Sequence, residues 1–365
     1  MRLRPTFLLA CLLLALSTGA AACGPSPTPL PPATATPTPE PTPEPTRTRT
    51  PASTVPPPTP TPTAAPARWI TFDDVKHVQE MAFDRQGHLW AASRSGAMRW
   101  NVDDGSRTVY TADDGLASKD VQCLAVAPNG ALWFGTRRSG VSRFDGQHWT
   151  TYTVEDGLAD NRIRDIAVGP DGALWFATFG GVSRFDGRRW TAYTPEDGLA
   201  GERVLSIATD ADGGLWFGTF GDGVSHFDGS TWTTYTVDDG LADNRVRTIV
   251  LDPDGVLWFG TFGGGLSRFD VGAFRAGARD EAWTTYTARD GLAEDVISCM
   301  ALAPDGTLWI GAADNGVSHF DGSTWTNYTA AHGLIDNEIL SMVVAPDGVL
   351  WASSINGVSY LSPSE

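Results

Sequence analysis

Apolar and polar positions between residues 163 and 203 alternate in four short runs, with a turn signal after each. The first run is Ile163-Arg-Asp-Ile-Ala-Val168, followed by the turn Pro170-Asp-Gly172. The second is Leu174-Trp-Phe-Ala-Thr178, and Gly180-Gly181 leads into the third, Val182-Ser-Arg-Phe185. Asp186-Gly187 leads into the fourth, Trp190-Thr-Ala-Tyr-Thr194, and a linker through Arg203 follows. Period-2 alternation predicts half-buried strands, and Asp-Gly suits the positive φ of a tight hairpin. One such unit is therefore expected to be a four-stranded antiparallel sheet.

The unit recurs. Its anchor is a Leu-Trp pair, with tryptophans at Trp90, Trp133, Trp175, Trp216, Trp258, Trp309 and Trp351. A repeat of about 42 residues with four strand signals predicts a β-propeller, here all-β and seven-bladed with four-stranded antiparallel blades. One interval is longer because residues 271–282 replace a tight turn between Phe269 and Trp283. The seventh unit ends after its third strand, near Leu361. The missing fourth strand stands at the other end of the repeats as Trp69-Ile-Thr-Phe72. The last blade is thus expected to be closed by the N-terminal strand, leaving no open end in the ring.

Two segments precede the repeats. Arg2 and Arg4, the apolar run Phe7–Leu16 and the small residues Gly19-Ala-Ala-Ala-Cys23 describe an export signal over residues 1–22. The apolar run is too short to span a bilayer. Small residues directly before Cys23 resemble a bacterial lipobox, which implies lipidation of that cysteine. Residues 23–67 carry 17 of the 25 prolines and are read as an extended, disordered Pro/Thr-rich stalk. The propeller takes residues 68–365. The chain is expected to be exported and lipid-anchored at the cell membrane facing outside, or in the periplasm or at the outer membrane where one exists.

The run Asp156-Gly-Leu158, then Asp-Gly-x-Leu-Trp-Phe to Gly172 and on to Gly187, resembles the two-component regulator propeller repeat. Near-copies cover residues 69–361. The resemblance implies an extracytoplasmic sensor propeller, of the kind that forms the outer part of hybrid histidine kinases, with glycan fragments among the implied ligands. A chain without its own membrane-spanning segment, kinase or receiver after the repeats is expected. Signalling would therefore pass through a membrane or signalling protein partner.

The net charge of −17 argues against nucleic acid. Cys123 and Cys299 occupy one repeat position in non-adjacent blades and are expected to be separate buried thiols. Asp210-Ala-Asp-Gly213 and Asp252-Pro-Asp-Gly255 look like fragments of a calcium loop, but further oxygen ligands are not in register, so hairpin turns are expected and no metal or cofactor.

Chemistry is sought where the blades differ. In propellers the B–C loops and the D-to-A linkers share one face. Four residues after the anchor Trp stand Arg137, Phe179, Phe220 and Phe262 in blades two to five. Just before strand A stand Arg162, Arg203 and Arg245, with Arg164 and Arg247 close behind. Blades three to five thus pair a Phe with an Arg. Aromatic faces stack on sugar rings, and guanidinium groups fork onto carboxylates. These nine residues form the candidate site for a small-molecule or oligosaccharide ligand carrying carboxylate. The same arginines could instead answer the loop aspartates Asp160, Asp197 and Asp243. Two other readings stand beside the sensor: a cell-surface protein–protein scaffold using the rim or residues 271–282, and a lyase-like enzyme using His77 and His332. No catalytic residue is assigned. His226 and His319, where other blades carry Arg, are expected on an exposed outer strand.

Overall fold

Each period of the sequence folds as four antiparallel strands, A to D from the centre outwards, in the computed structural model, which describes residues 68–102 and 104–362. Blade three runs Ile163–Val168, Leu174–Thr178, Gly181–Phe185 and Trp190–Tyr193, close to the bounds read from the alternation. Seven such sheets stand around a central channel, and the A strands of successive blades touch all the way round. The export signal, Cys23 and the stalk lie outside the described residues. No described helix is long and apolar enough to cross a membrane.

Strand B is buried along its whole length because it packs on both faces. Its tryptophan bridges blades: the Trp175 ring centroid lies 5.5 Å from Tyr193 of its own sheet and 5.7 Å from Phe217 of the next. Trp133 with Phe176, and Trp216 with Phe259, repeat the contact. Each aromatic pair adds about 0.5–1.5 kcal/mol beyond area burial. Serine of strand C then fixes the incoming linker. Ser183 Oγ accepts the Ala159 N–H at 2.9 Å, and Ser225 accepts that of Ala200 at 2.8 Å.

The start of the linker is more ordered than its sequence suggests. In four linkers it forms a 3-10 turn, Pro195–Asp197 in the linker to blade four, where Asp197 Oδ2 accepts the Thr194 N–H at 2.9 Å. Gly198 follows at φ 109°, where a side chain would be strained, and Leu199 is buried.

The ring closes as the sequence implies. Arg68–Phe72 pairs antiparallel with Val358–Ser362, placing Trp69 opposite Leu361 and Phe72 opposite Val358. Trp69 is buried and meets Tyr328 edge-on at 6.1 Å across the seam to blade six.

Residues 271–282 fold as two short helices, α1 (Val271–Arg275) and α2 (Arg279–Ala282), at the turn between strands C and D of blade five. Phe274 packs on Phe269 and Tyr235, and Arg275 pairs with Asp212 of blade four. The insertion turns its aromatic residue inward and covers its own blades.

Candidate functional site

The B–C loops and the residues before strand A meet because backbone bonds join them. The Phe220 N–H donates to the Arg203 carbonyl at 2.9 Å, that of Phe262 to Arg245 at 3.0 Å, and that of Arg137 to Asp120 at 3.0 Å. Buried threonines brace the loops, as where Thr219 Oγ1 donates to the Gly223 carbonyl at 2.8 Å. The predicted Phe/Arg pairs are therefore physical neighbours. The guanidinium carbon lies 5.1 Å from the ring centroid for Arg162 over Phe179 and for Arg203 over Phe220, and 5.6 Å for Arg245 over Phe262. Phe220 and Phe262 lie edge to face at 6.2 Å, and each is more than a third exposed.

The outer arginines also answer aspartates, as the alternative reading had it for two of three. Arg162 forks onto Asp160 at 2.9 and 2.5 Å, and Arg245 onto Asp243 at 3.0 and 2.5 Å. These hydrogen bonds hold both carboxyls below their ordinary range. Asp197 instead caps its own turn, which leaves Arg203 on Phe220 with no ion pair among the described residues. Arg137 stands apart from the rings, exposed and 3.8 Å from Asp120.

Arg164 and Arg247 sit deeper. In six blades the register of strand A slips between its first and third residues, as between Ile163 and Asp165. Such a bulge re-aims the residue inside it. Arg164 and Arg247, with Gln122 and Ser298 at the equivalent positions, line a cavity of about 180 Å³ in the channel. Arg164 Nη1 donates to Gln122 Oε1 at 3.1 Å, while its buried Nε has no partner. Both guanidiniums lie 6.0 Å from the rings above, Arg164 from Phe179 and Arg247 from Phe262.

Two channel residues escape the sequence reading. Glu80 and Asp165, third in their A strands, also line the cavity. Each staples its blade to the next: Glu80 Oε2 accepts the Leu124 N–H at 2.9 Å, and Asp165 Oδ2 accepts that of Ile207 at 2.7 Å. Asp165 Oδ1 also accepts the Ile166 N–H at 2.7 Å. Desolvation pushes the Asp165 carboxyl up to about 6. Desolvation and the nearby Asp165 charge raise Glu80 well above its ordinary range. The available signal was a charged residue inside an otherwise apolar strand A.

The remaining candidates resolve into structure. Asp210 and Asp252 accept the indole N–H of Trp216 and Trp258, each at 3.0 Å, and fold their turns locally. Among the described residues no group of three His, Cys, Asp or Glu side chains is placed to hold a metal. Cys123 and Cys299 are free thiols. His226 and His319 are not on an exposed surface: they stack on Trp216 and Trp309 at 4.4 and 4.1 Å, because strand C packs its side chains on the anchor Trp. His332 Nδ1 accepts the Thr329 N–H at 3.0 Å, taking the capping place that Asp holds in other blades. No contact joins it to His77 among the described residues.

Four segments, residues 115–138, 157–180, 198–221 and 240–263, match the two component regulator propeller family. No curated protein matches the sequence. Among solved structures, the chain is similar to the extracellular domain of a hybrid two component system from B. thetaiotaomicron, with 23% identity and a TM-score of 0.71. That match covers 82% of this chain and 42% of the other, so the chain spans less than half the length of that relative. Virginiamycin B lyase from Staphylococcus aureus shares 17% identity at a TM-score of 0.63, over 81% of this chain and 99% of the lyase. PorZ, a bacterial surface component of the type-IX secretion system of Porphyromonas gingivalis, shares 17% at 0.63, over 80% and 47%. At these identities the likeness speaks for the fold. Four of the seven repeats thus match the two component regulator propeller family, and the solved structures share the propeller fold.

Proposed function

We propose that this propeller is an extracytoplasmic ligand-binding sensor that takes a carboxylated ligand, an acidic oligosaccharide in the leading reading, on its loop face. One observation carries the reading. Three adjacent blades each present a phenylalanine with a guanidinium stacked on it, and two of the rings are exposed side by side. A protein minimising exposed apolar surface would not place rings there without use. Phe179, Phe220 and Phe262 form the stacking platform. Arg162, Arg203 and Arg245 orient the ligand over it, Arg137 borders it, and Arg164 and Arg247 lie beneath.

The two ion-paired arginines bias the ligand class. Arg162 and Arg245 are neutralised locally, so they offer planar stacking and spare N–H donors more than net charge. That suits a sugar carrying occasional carboxylates better than a densely charged polyanion. Export, lipidation at Cys23 and relay through a membrane partner complete the proposal.

The test is an array of neutral and acidic oligosaccharides probed with the purified chain, repeated with Phe179, Phe220 and Phe262 all changed to Ala. Capture of uronate-containing glycans, lost in the triple variant, is the expected result. Equal capture by both proteins would sink the assignment.

A further inference from the structure

We propose that the central channel holds a small anion, of the size and charge of one carboxylate group, between Arg164 and Arg247. The inference stands on the channel alone and needs no ligand on the loop face.

The pairing pattern is inverted relative to burial. The exposed arginines Arg162 and Arg245 each fork onto an aspartate. The inner two do not. Arg247 makes no hydrogen bond and no ion pair with any described residue, and Phe262 is its one ring contact. Arg164 spends a single N–H on Gln122 and keeps a buried Nε unpaired. A buried charge without a counter-charge costs several kcal/mol, more than one left in water. Arg164, whose Nε is shut off from solvent, bears most of that cost; Arg247 stands half-buried at the same level with no partner.

The channel carboxyls act on Arg164 only through space and form no ion pair with it. Glu80 and Asp165 aim their oxygens at backbone N–H groups of strand A, and neither lies within ion-pair distance of an arginine. Other polar groups at this level are also engaged: Ser298 Oγ donates to the Gly311 carbonyl at 2.9 Å, and Gln122 Nε2 donates to Asp120 Oδ1 at 2.9 Å. What remains open to the cavity includes guanidinium N–H and the unpartnered Ser206 hydroxyl, a donor set that suits an anion. The cavity of about 180 Å³ is below the roughly 300 Å³ at which sites for larger ligands begin, so it takes a small ion or a single head group.

The anion has two sources, a free small carboxylate or a carboxylate projecting from a larger ligand. Calorimetric titration of the full chain with sodium acetate, sodium glucuronate and, as a neutral control, glucose separates them. We expect saturable binding of acetate, of glucuronate or of both, and none of glucose. Acetate alone identifies a free ion, and glucuronate alone identifies a sugar head group. Arg247→Gln should weaken the interaction by about tenfold or more. In dilute buffer without carboxylate the same variant should melt above the wild type, because it removes an unpaired, half-buried charge beside Arg164; a merely structural arginine would give the reverse. Arg188→Gln, on an outer turn, should match the wild type in both respects. Binding of neither carboxylate, or an Arg247→Gln variant that binds as the wild type does, would overturn the proposal. The triple phenylalanine variant should keep its acetate response, so failure of the loop-face reading stays separate from failure of this one.

Discussion

Changing Asp165 to Asn makes the balance of forces at the channel wall measurable. Two effects compete on this carboxyl. The Ile166 and Ile207 N–H groups, both at 2.7 Å, favour the ionised form, and so does the Arg164 charge. Desolvation favours the neutral form and wins, moving the group up to about 6. An unfolded Asp titrates near ~3.9, so the folded state holds this proton more tightly by about two units, or about 3 kcal/mol. The sign follows from linkage. Below about pH 4 both states are protonated and the group is neutral to stability. As pH rises through the window between about 4 and 6, the unfolded state releases its proton first, and the wild type loses stability. Above that window the loss is constant. An Asn in this place has no proton to lose, but it can accept from only one of the two N–H groups. That adds a pH-independent cost of about 1–3 kcal/mol. Glu80 shifts the result in the same direction, since its carboxyl is raised partly by the Asp165 charge. Urea unfolding followed by tryptophan fluorescence at pH 4, 5, 6 and 7 should therefore show the variant weaker at pH 4. It should gain about 3 kcal/mol on the wild type by pH 7. A gap that stays constant, or widens with pH, would mean that the N–H donors and Arg164 outweigh desolvation, and the reasoning would fail.

Two further outcomes test the architecture. Trp69→Ala should cost about 3–5 kcal/mol, the range for losing a buried Trp, and show as a lower melting temperature by calorimetry; an unchanged melting temperature would mean that the closing strand contributes nothing. Gly223 stands at φ 83°, and a Cβ there would lie 2.2 Å from the Tyr235 carbonyl oxygen, so Gly223→Ala should destabilise by more than the ~1–2 kcal/mol of a left-handed backbone alone. Gly187, at φ 94° with open space around it, should show only that smaller backbone cost when changed to Ala in the same assay.

Much of the fold was legible because each blade repeats one solution. Trp175 and its counterparts recur at one position, so anchor spacing alone counted the blades. Trp69 betrayed the closing strand because it copies the Trp that opens strand D in blades two to six. The loop-face pairs were legible for a related reason: Phe220 and Arg203 each stand next to a strand whose end was already placed. The inner site was not. Whether Arg164 faces the channel depends on a bulge that shifts the strand by one residue, and one residue decides the face on which a side chain lies. The Arg162–Asp160 pair is two residues apart in a loop, where backbone conformation rather than spacing decides contact. His226 and His319 misled because a polar residue in strand C can cover a tryptophan instead of facing water. The capped turn at Asp197 hides inside a linker of Asp, Gly and Glu, where only the capping-box spacing of Thr194 and Asp197 marks it.

The seam at Trp69 and Leu361 also has a consequence in time. The strand that emerges first finds its place only when the last one exists, a contact across nearly the whole length of the repeats. Every other sheet can complete itself from neighbouring sequence; this one waits for the entire ring. Such a long-range pairing slows the final step of assembly. Until it forms, each molecule offers both a loose strand and the empty slot that fits it. Two unfinished copies are therefore complementary to one another, and crowding during synthesis or export favours exchange of that strand between them. Arg68–Phe72 is thus both the latch of the finished ring and the point at which an unfinished one becomes entangled with its neighbour.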